Sequence, residues 1–94
     1  MPRYMIVRSF DVGEADMPAV GTRSRSIVDH ELTEITWEHS HVVVGDQGFV
    51  RSYCVYLAPS EEALRAHASK LGHHTIEGLH EIVGDMTPSD SPPT

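Results

Sequence analysis

The stretch FVRSYCVYLAPSEEALRAHASKLG, from Phe49 to Gly72, decides the fold of this chain. Its first half, FVRSYCVYLA, is rich in β-branched and aromatic residues and is typical of a strand. The second half opens with Pro59 and the N-cap signal Ser60 and ends at Gly72, a helix C-terminal signal. Five residues between them recur at helical spacing and predict a core-facing stripe: Ala63, Leu64, His67, Ala68 and Leu71. A strand followed by a helix is therefore predicted, with His67 pointing inward.

The strand in this stretch is predicted to be the second half of a β-hairpin. The run ITWEHSHVVV, residues 35–44, has strand composition, and GDQG supplies a turn with Asp46 and Gln47 at its tip. The predicted cross-strand pairs are Val44 with Phe49, His41 with Ser52, His39 with Cys54, and Trp37 with Tyr56. This register places His39 and His41 on the same sheet face as Ser52 and Cys54, because strand side chains alternate between faces.

The remaining segments complete a known arrangement of strands and helices. RYMIVRSF, residues 3–10, predicts a first strand, and Asp16 with Pro18 predicts the start of a first helix. HHTIEG, residues 73–78, reads as a loop before a last strand, LHEIVGDM, residues 79–86. The order β-α-β-β-α-β predicts an α+β ferredoxin-like plait, an antiparallel sheet with two helices on one face. We expect one domain over residues 1–88 and a disordered, proline-rich tail over residues 89–94.

Composition narrows the possible partners. The 94 residues carry 14 Asp plus Glu against 7 Lys plus Arg, a formal net charge of −7, which argues against a nucleic-acid partner. No apolar run approaches the roughly 20 residues of a spanning helix, and the start MPRYMIVRSF lacks a signal-peptide pattern. The single cysteine, Cys54, allows no internal disulfide. We expect a cytoplasmic protein with no membrane partner, and its modest core favours a homodimer.

Seven histidines among 94 residues suggest metal chemistry. His39 and His41 stand at i and i+2 of one predicted strand, so their side chains lie roughly 6.5 to 7 Å apart on one face and can converge on an ion. If that face meets the helices, His67 adds a third imidazole, and imidazole suits nickel, zinc or copper. The adjacent His73 and His74 resemble an exposed metal site.

The same residues also have ordinary structural interpretations. Strand histidines often fill an amphipathic surface, and a histidine on the apolar stripe of a helix is most often a hydrogen-bonded core residue. His73 and His74 would complement the negative end of the preceding helix. Cys54 is expected to be a small buried hydrophobe, and its catalytic pairing with His39 is the less favoured alternative.

The segments WEHSHVVV, residues 37–44, and YCVYLAPSEEALRAHASKLG, residues 53–72, resemble a family of small bacterial proteins. That family was defined as a domain of unknown function, and its members are described as nickel-binding and ferredoxin-like. The resemblance spans residues 4–88, with seven residues at the family's usual places: Tyr53, Cys54, Tyr56, Ala58, Pro59, His67 and Gly72. It implies a dimeric plait that binds a divalent metal, with His67 as the best-matched ligand and His39 and His41 next. His73 and His74 depart from the Gly-hydrophobic-Pro turn of many relatives.

Three functions remain open from the sequence. The first is binding of nickel, or of zinc, copper or cobalt, for sequestration or carriage; its candidate ligands are His39, His41, His67, His73 and His74. The alternative is a small cofactor-independent monooxygenase or isomerase, in which His67, Tyr53 or Tyr56, and a strand histidine transfer protons in a cavity between sheet and helices. The third is an interaction module with incidental histidines, since this fold hosts many functions. The direction in which the histidines point discriminates among them.

Overall fold

A computed structural model describes residues 1–45, 48–91 and 93 of the chain. The strands are β1 (Arg3–Phe10), β2 (Thr36–Val44), β3 (Val50–Leu57) and β4 (His74–Ile82). The helices are α1 (Met17–His30) and α2 (Glu61–Leu71), and short 3₁₀ turns occupy Glu14–Asp16 and Pro88–Asp90. The predicted hairpin tip, Asp46 and Gln47, lies outside the described residues.

The four strands form one antiparallel sheet in the order β2-β3-β1-β4, which confirms the predicted plait. Both helices cover one face, where Val28 of α1 and Leu64 of α2 pack with Ile6 and Tyr56 in a buried cluster. The opposite face carries no helix in the part of the chain that the structure describes, and we call it the helix-free face. Its residues include Met5, Val7, His39, His41, Val43, Tyr53, Val55 and His80.

The two helices differ in whether the predicted N-cap residue makes a capping hydrogen bond. In α2, Ser60 Oγ accepts a hydrogen bond from the Ala63 backbone N–H at 3.2 Å, and Gly72 follows the helix with φ of 69°, as predicted. In α1, Asp16 stands at the N-cap position, but its side chain makes no capping hydrogen bond. The reason is local: Asp16 has helical backbone angles from the preceding 3₁₀ turn, whereas a capping residue is extended.

The hairpin register differs from the prediction by one residue. Val44 pairs with Val50 rather than Phe49, and His41 pairs with Tyr53 rather than Ser52. Phe49 belongs to the loop, and its carbonyl accepts a hydrogen bond from the Gly45 N–H, so the loop is one residue longer than GDQG. The predicted pairing of Trp37 with Tyr56 holds, because a bulge between Trp37 and His39 absorbs the shift. The other pairings become His39 with Val55, Ser40 with Cys54, Val42 with Ser52 and Val43 with Arg51.

A one-residue shift moves side chains of β2 to the other face of the sheet. His39 and His41 therefore lie on the helix-free face, whereas Ser52 and Cys54 of β3 are buried beneath the helices. The prediction that these four residues share a face is wrong. Cys54 is buried as expected, but its neighbour on β2 is Ser40, so no pair of Cys54 with His39 exists.

The last strand begins earlier than predicted. β4 starts at His74, inside the predicted loop, and ends at Ile82, which pairs with Arg3 at the start of β1. Residues 83–86 do not pair with β1 as a strand, and Val83 and Met86 are exposed. The error arose because a bulge near Glu77 interrupts the alternation of apolar and polar residues in β4.

The described residues after β4 form no further strand or α-helix. Residues 83–91 are all exposed, with one 3₁₀ turn at Pro88–Asp90, and the predicted domain boundary and disordered tail stay predictions. In the described residues, no helix is both long enough and apolar enough to cross a bilayer.

Candidate functional site

His39 and His41 form a pair of imidazoles on the helix-free face. Both side chains are exposed, and their ring centroids lie 5.3 Å apart with the ring planes at 78°. The geometry follows from the i and i+2 positions of a strand, which direct both side chains to one side. We call these two residues the histidine pair. Two exposed imidazoles at this distance can bind one metal ion together.

His67 does not join the histidine pair, because it lies on the opposite side of the sheet. Its side chain is fully buried beneath the helices and tilts against the Tyr56 ring at a centroid distance of 5.2 Å. The predicted convergence of His39, His41 and His67 on one internal ion therefore does not occur. The inward orientation of His67, predicted from helical spacing, is confirmed.

Both ring nitrogens of His67 are engaged by the protein. Nδ1 lies 3.2 Å from Arg8 Nη2, and Nε2 lies 3.1 Å from Ser24 Oγ. Since a guanidinium only donates, Nδ1 must accept, and the ring proton resides on Nε2 and is donated to Ser24. Burial, and next the charge of Arg8, lower the pKa of His67 from 6.5 to about 4. His67 is thus a neutral imidazole with no nitrogen left for a metal.

His73 and His74 occupy different environments despite being adjacent. His74 is half-buried, its ring lies 5.2 Å from that of Phe10, and its Nδ1–H donates to the Gly72 carbonyl at 2.8 Å. Burial lowers the pKa of His74. His73 is exposed with φ of 58°, and its Nδ1 lies 4.0 Å from Asp11 Oδ1. Over residues 1–45, 48–91 and 93, no three His, Cys, Asp or Glu side chains are grouped so as to hold a metal.

A buried polar cluster, defined as Arg8, Ser24, Cys54, Tyr56 and His67, lies between the sheet and the helices. Arg8 is only 1 % exposed. Its Nη1 donates to Tyr56 Oη at 3.2 Å and approaches Cys54 Sγ at 3.6 Å, while its guanidinium carbon lies 5.4 Å from the centre of the Tyr56 ring. Its Nε has no hydrogen-bond partner among the described residues. A buried cation held only by neutral groups is unusual, because burying a charge is costly without a countercharge.

The hydrogen bonds in the cluster have a defined direction. Arg8 donates to His67, and His67 donates to Ser24, which leaves the Ser24 hydroxyl proton free to be donated further. Tyr56 Oη lies 3.4 Å from Ser24 Oγ and can receive it. Burial raises the pKa of Tyr56, although Arg8 acts in the opposite sense, so its hydroxyl stays protonated at neutral pH. The buried polar cluster therefore has hydrogen-bond donors available for a further acceptor.

A cavity of about 180 Å³ lies between the sheet and α1, beside the buried polar cluster. Its floor consists of buried residues: Arg8, Ser24, Cys54 and Tyr56 of the cluster, with Phe10, Ser52 and Leu71. Its rim consists of half-buried or exposed residues: Met17, Val20, Gly21, Trp37, Ser40 and Val42. The mouth thus opens between α1 and the edge strand β2.

Sequence reasoning identified His67 and Tyr56 but missed Arg8 and Ser24. The alternation in RYMIVRSF contained the signal, since Arg8 stands on the same face as Tyr4, Ile6 and Phe10, all of which are buried. An arginine at an apolar position of a central strand predicts a buried cation.

Comparison with known proteins supports the family resemblance. Residues 4–82 match the family described as nickel responsive protein SCO4226-like. The chain belongs to this family. The crystal structure of SCO4226 from Streptomyces coelicolor A3(2) is similar, with a TM-score of 0.65 over 89 % of this chain and 99 % of that chain. At 17 % sequence identity this similarity shows a shared fold, and the comparison with curated proteins found no match.

Proposed function

We propose that this protein binds nickel, or a similar divalent transition metal, on the helix-free face of a homodimer through the histidine pair of each chain. The observation that carries the proposal is the 5.3 Å separation of the exposed His39 and His41 rings. A coordinating imidazole nitrogen lies about 2 Å from its metal, so rings at this separation can both reach one ion. Imidazole nitrogen suits nickel and copper in tetragonal geometry, and the family name supports nickel.

The number of ligands is the reason for invoking a second copy. One chain supplies two imidazoles at this position, and a protein metal site generally uses three or four protein ligands. A two-fold interface repeats the same patch on both chains, so two histidine pairs supply four imidazoles. Site and dimer would then form together.

The helix-free face has the composition of a contact surface. It carries apolar side chains on three adjacent strands: Met5 and Val7 on β1, Val43 on β2, and Tyr53 and Val55 on β3. An apolar sheet face is stabilised when a second layer covers it, and the helices already cover the other side. Val55 is already buried within one chain, and a second copy stacked through this face would remove the half-buried or exposed Met5, Val7, Val43 and Tyr53 from water.

His80 extends the possible ligand set on the same face. One cross-strand row runs over the four strands through His39, Val55, Met5 and His80. His39 and His80 therefore stand at opposite edges of the sheet. A two-fold axis parallel to the strands would bring the partner's His80 over His39. An axis across the strands would instead bring the two histidine pairs together.

Sequestration or carriage of the ion in the cytoplasm is the role we infer for such a site. His67 is left out of the proposed ligand set because Arg8 and Ser24 occupy both its ring nitrogens. His73 and His74 remain the rival site, since His73 is exposed and Nε2 of His74 is not used by its bond to Gly72.

Calorimetric titration of nickel into tag-free, metal-free protein tests the proposal. We expect saturable binding that is lost in the double variant His39→Ala/His41→Ala and retained in the matched variant His73→Ala/His74→Ala. His80→Ala weakens binding if the axis runs along the strands and leaves it unchanged otherwise. Loss of binding in the His73/His74 variant alone would move the site to the loop and overturn the proposal.

A further inference from the structure

We propose that the cavity between the sheet and α1 binds a small organic carboxylate, with the carboxylate on Arg8 and the apolar body in the mouth. This inference is independent of the metal site, which lies on the other face of the sheet. It rests on the charge balance of the buried polar cluster, on the donors that the cluster leaves unused, and on the lining of the cavity.

Arg8 differs from the other basic side chains in its burial and in its partners. Five others lie within 4.0 Å of a carboxylate: Arg3, Arg25, Arg51, Arg65 and Lys70. Arg23 is exposed and donates to the Lys70 carbonyl. Arg8 is buried, and its partners among the described residues are a thiol, a phenol and an imidazole. Arg8 is thus the buried basic side chain, and among the described residues it has no carboxylate partner, which an anionic ligand would supply.

The guanidinium also has donors to offer. It carries five N–H groups, of which three serve Cys54, Tyr56 and His67. The N–H of Nε and one N–H of Nη2 remain, and Nε is buried with no partner in the part of the chain that the structure describes. An arginine binds a carboxylate through two parallel N–H groups, so a carboxylate that reached the Nε edge of Arg8 would accept from both groups. A single cation without a second basic residue beside it favours a monoanion over a phosphate dianion.

Ser24 and His67 complete the recognition of an anion. Because His67 donates to Ser24, the Ser24 hydroxyl must direct its own proton elsewhere, and Ser24 lines the cavity floor. A carboxylate oxygen in the cavity can receive that proton in place of Tyr56 Oη, which lies 3.4 Å from Ser24 Oγ. His67 does not line the cavity and acts as a positioning residue, which orients both Arg8 and Ser24.

The cavity determines the rest of the ligand. An apolar cavity of about 150 Å³ accommodates benzene, so the volume of about 180 Å³ fits one six-membered ring with a small substituent. The apolar side chains of the floor and the rim include Phe10, Met17, Val20 and Trp37. The ligand class is therefore a cyclic or short branched carboxylic acid, with the acid group inward.

Trp37 provides the readout, because it is the only tryptophan and stands on the rim of the cavity. The probes are cyclohexanecarboxylate and its neutral analogue cyclohexanemethanol, neither of which absorbs where tryptophan is excited. We expect the carboxylate to change Trp37 fluorescence saturably and to bind about tenfold or more tightly than the alcohol, as charge-assisted hydrogen bonds contribute. Equal affinity of the two probes, or no saturable binding of the carboxylate, would overturn the proposal.

Two variants test separately the charge of Arg8 and the open volume at the mouth of the cavity. Arg8→Met removes the cation and should abolish the preference for the carboxylate. Gly21→Leu fills the mouth, since a Cβ at Gly21 already lies 3.9 Å from the Trp37 ring, and should block both probes while Arg8 stays in place. The matched control His39→Ala/His41→Ala lies on the other face and should bind the carboxylate like the wild type. Full carboxylate binding by a folded Gly21→Leu variant would place the ligand elsewhere and contradict the proposal.

Discussion

Arg8 Nη2 donates a hydrogen bond to His67 Nδ1 over 3.2 Å, between the centre of the sheet and the second helix. Arg8 is 1 % exposed and His67 is fully buried, so the bond is shielded from water. Burial is the larger cause that keeps the imidazole neutral, and the contact adds to it, because a proton on Nδ1 would face a permanent cation. Arg8 is therefore a buried cation here, and His67 is a neutral hydrogen-bond acceptor.

The lowered pKa of His67 predicts a pH dependence of stability. The unfolded chain protonates His67 near pH 6.5, whereas the folded protein resists protonation until about pH 4. The unfolded state thus binds more protons in this window, and the free energy of unfolding falls as the pH falls from 6.5 to about 4. At about 1.4 kcal/mol per pKa unit, His67 contributes on the order of 3 kcal/mol above this window. Urea unfolding at a series of pH values measures the slope.

The control for this slope is His67→Gln. A glutamine amide can accept from Arg8 through its oxygen and donate to Ser24 through its nitrogen, but it does not titrate. We expect the variant to fold and to lose most of the pH dependence between pH 6.5 and 4, with a remainder of the same sign from His74, whose pKa is also lowered. An unchanged slope in His67→Gln would contradict the assignment.

Removing the charge of Arg8 should change the titration of His67. Burial is the larger cause of its lowered pKa and the charge of Arg8 the next, so Arg8→Met should raise the pKa of His67 without restoring the ordinary value of 6.5. Arg8→Lys keeps a positive charge and should leave the pKa low. Nitrogen chemical shifts of the His67 ring, followed by NMR, measure both variants. A pKa that is the same in the Met and Lys variants would show that the charge is without effect.

The fold was predictable where the sequence carries local signals. Ser60 and Gly72 mark the ends of α2, and the spacing of its apolar residues correctly turned His67 inward. The face of His39 and His41 was not predictable, because the sequence does not determine whether the hairpin loop has four residues or five, and one residue reverses the side chains of β2 as far as the bulge after Trp37. The early start of β4 was hidden by the bulge near Glu77.

In the candidate sites too, the sequence predicts the features that follow from local geometry but not those that depend on tertiary contacts. The proximity of His39 and His41 follows from strand geometry and survives the change of face, since both side chains move together. The partners of His67 come from β1 and α1, far away in sequence, so no local pattern indicates Arg8 or Ser24 as its neighbours. The cavity depends on how α1 is placed over β2, which is a tertiary property.

Nickel binding should weaken in acid if imidazoles are the ligands. An imidazole nitrogen binds a metal only in its neutral form, and ordinary histidine side chains protonate near pH 6.5. Between about pH 7.5 and 5.5 the affinity should therefore fall by about tenfold or more, since several imidazoles must lose a proton together. Titrations at fixed ionic strength measure this change. A site made of carboxylates would keep its affinity over that interval, and such a result would exclude the histidine pair.

Val42 and Val43 offer a matched test of the dimer. They are neighbours on β2 with similar exposure, 48 % and 44 %, but Val43 stands on the helix-free face and Val42 on the rim of the cavity. Sedimentation equilibrium should show that the wild type has about twice the mass of one chain. Val43→Glu should favour monomers, because a carboxylate buried in the interface costs about 3 kcal/mol, or about 100-fold in the dissociation constant. Val42→Glu should remain dimeric and instead weaken carboxylate binding at the cavity mouth. If both variants, or neither, dissociate, the helix-free face is not the contact surface.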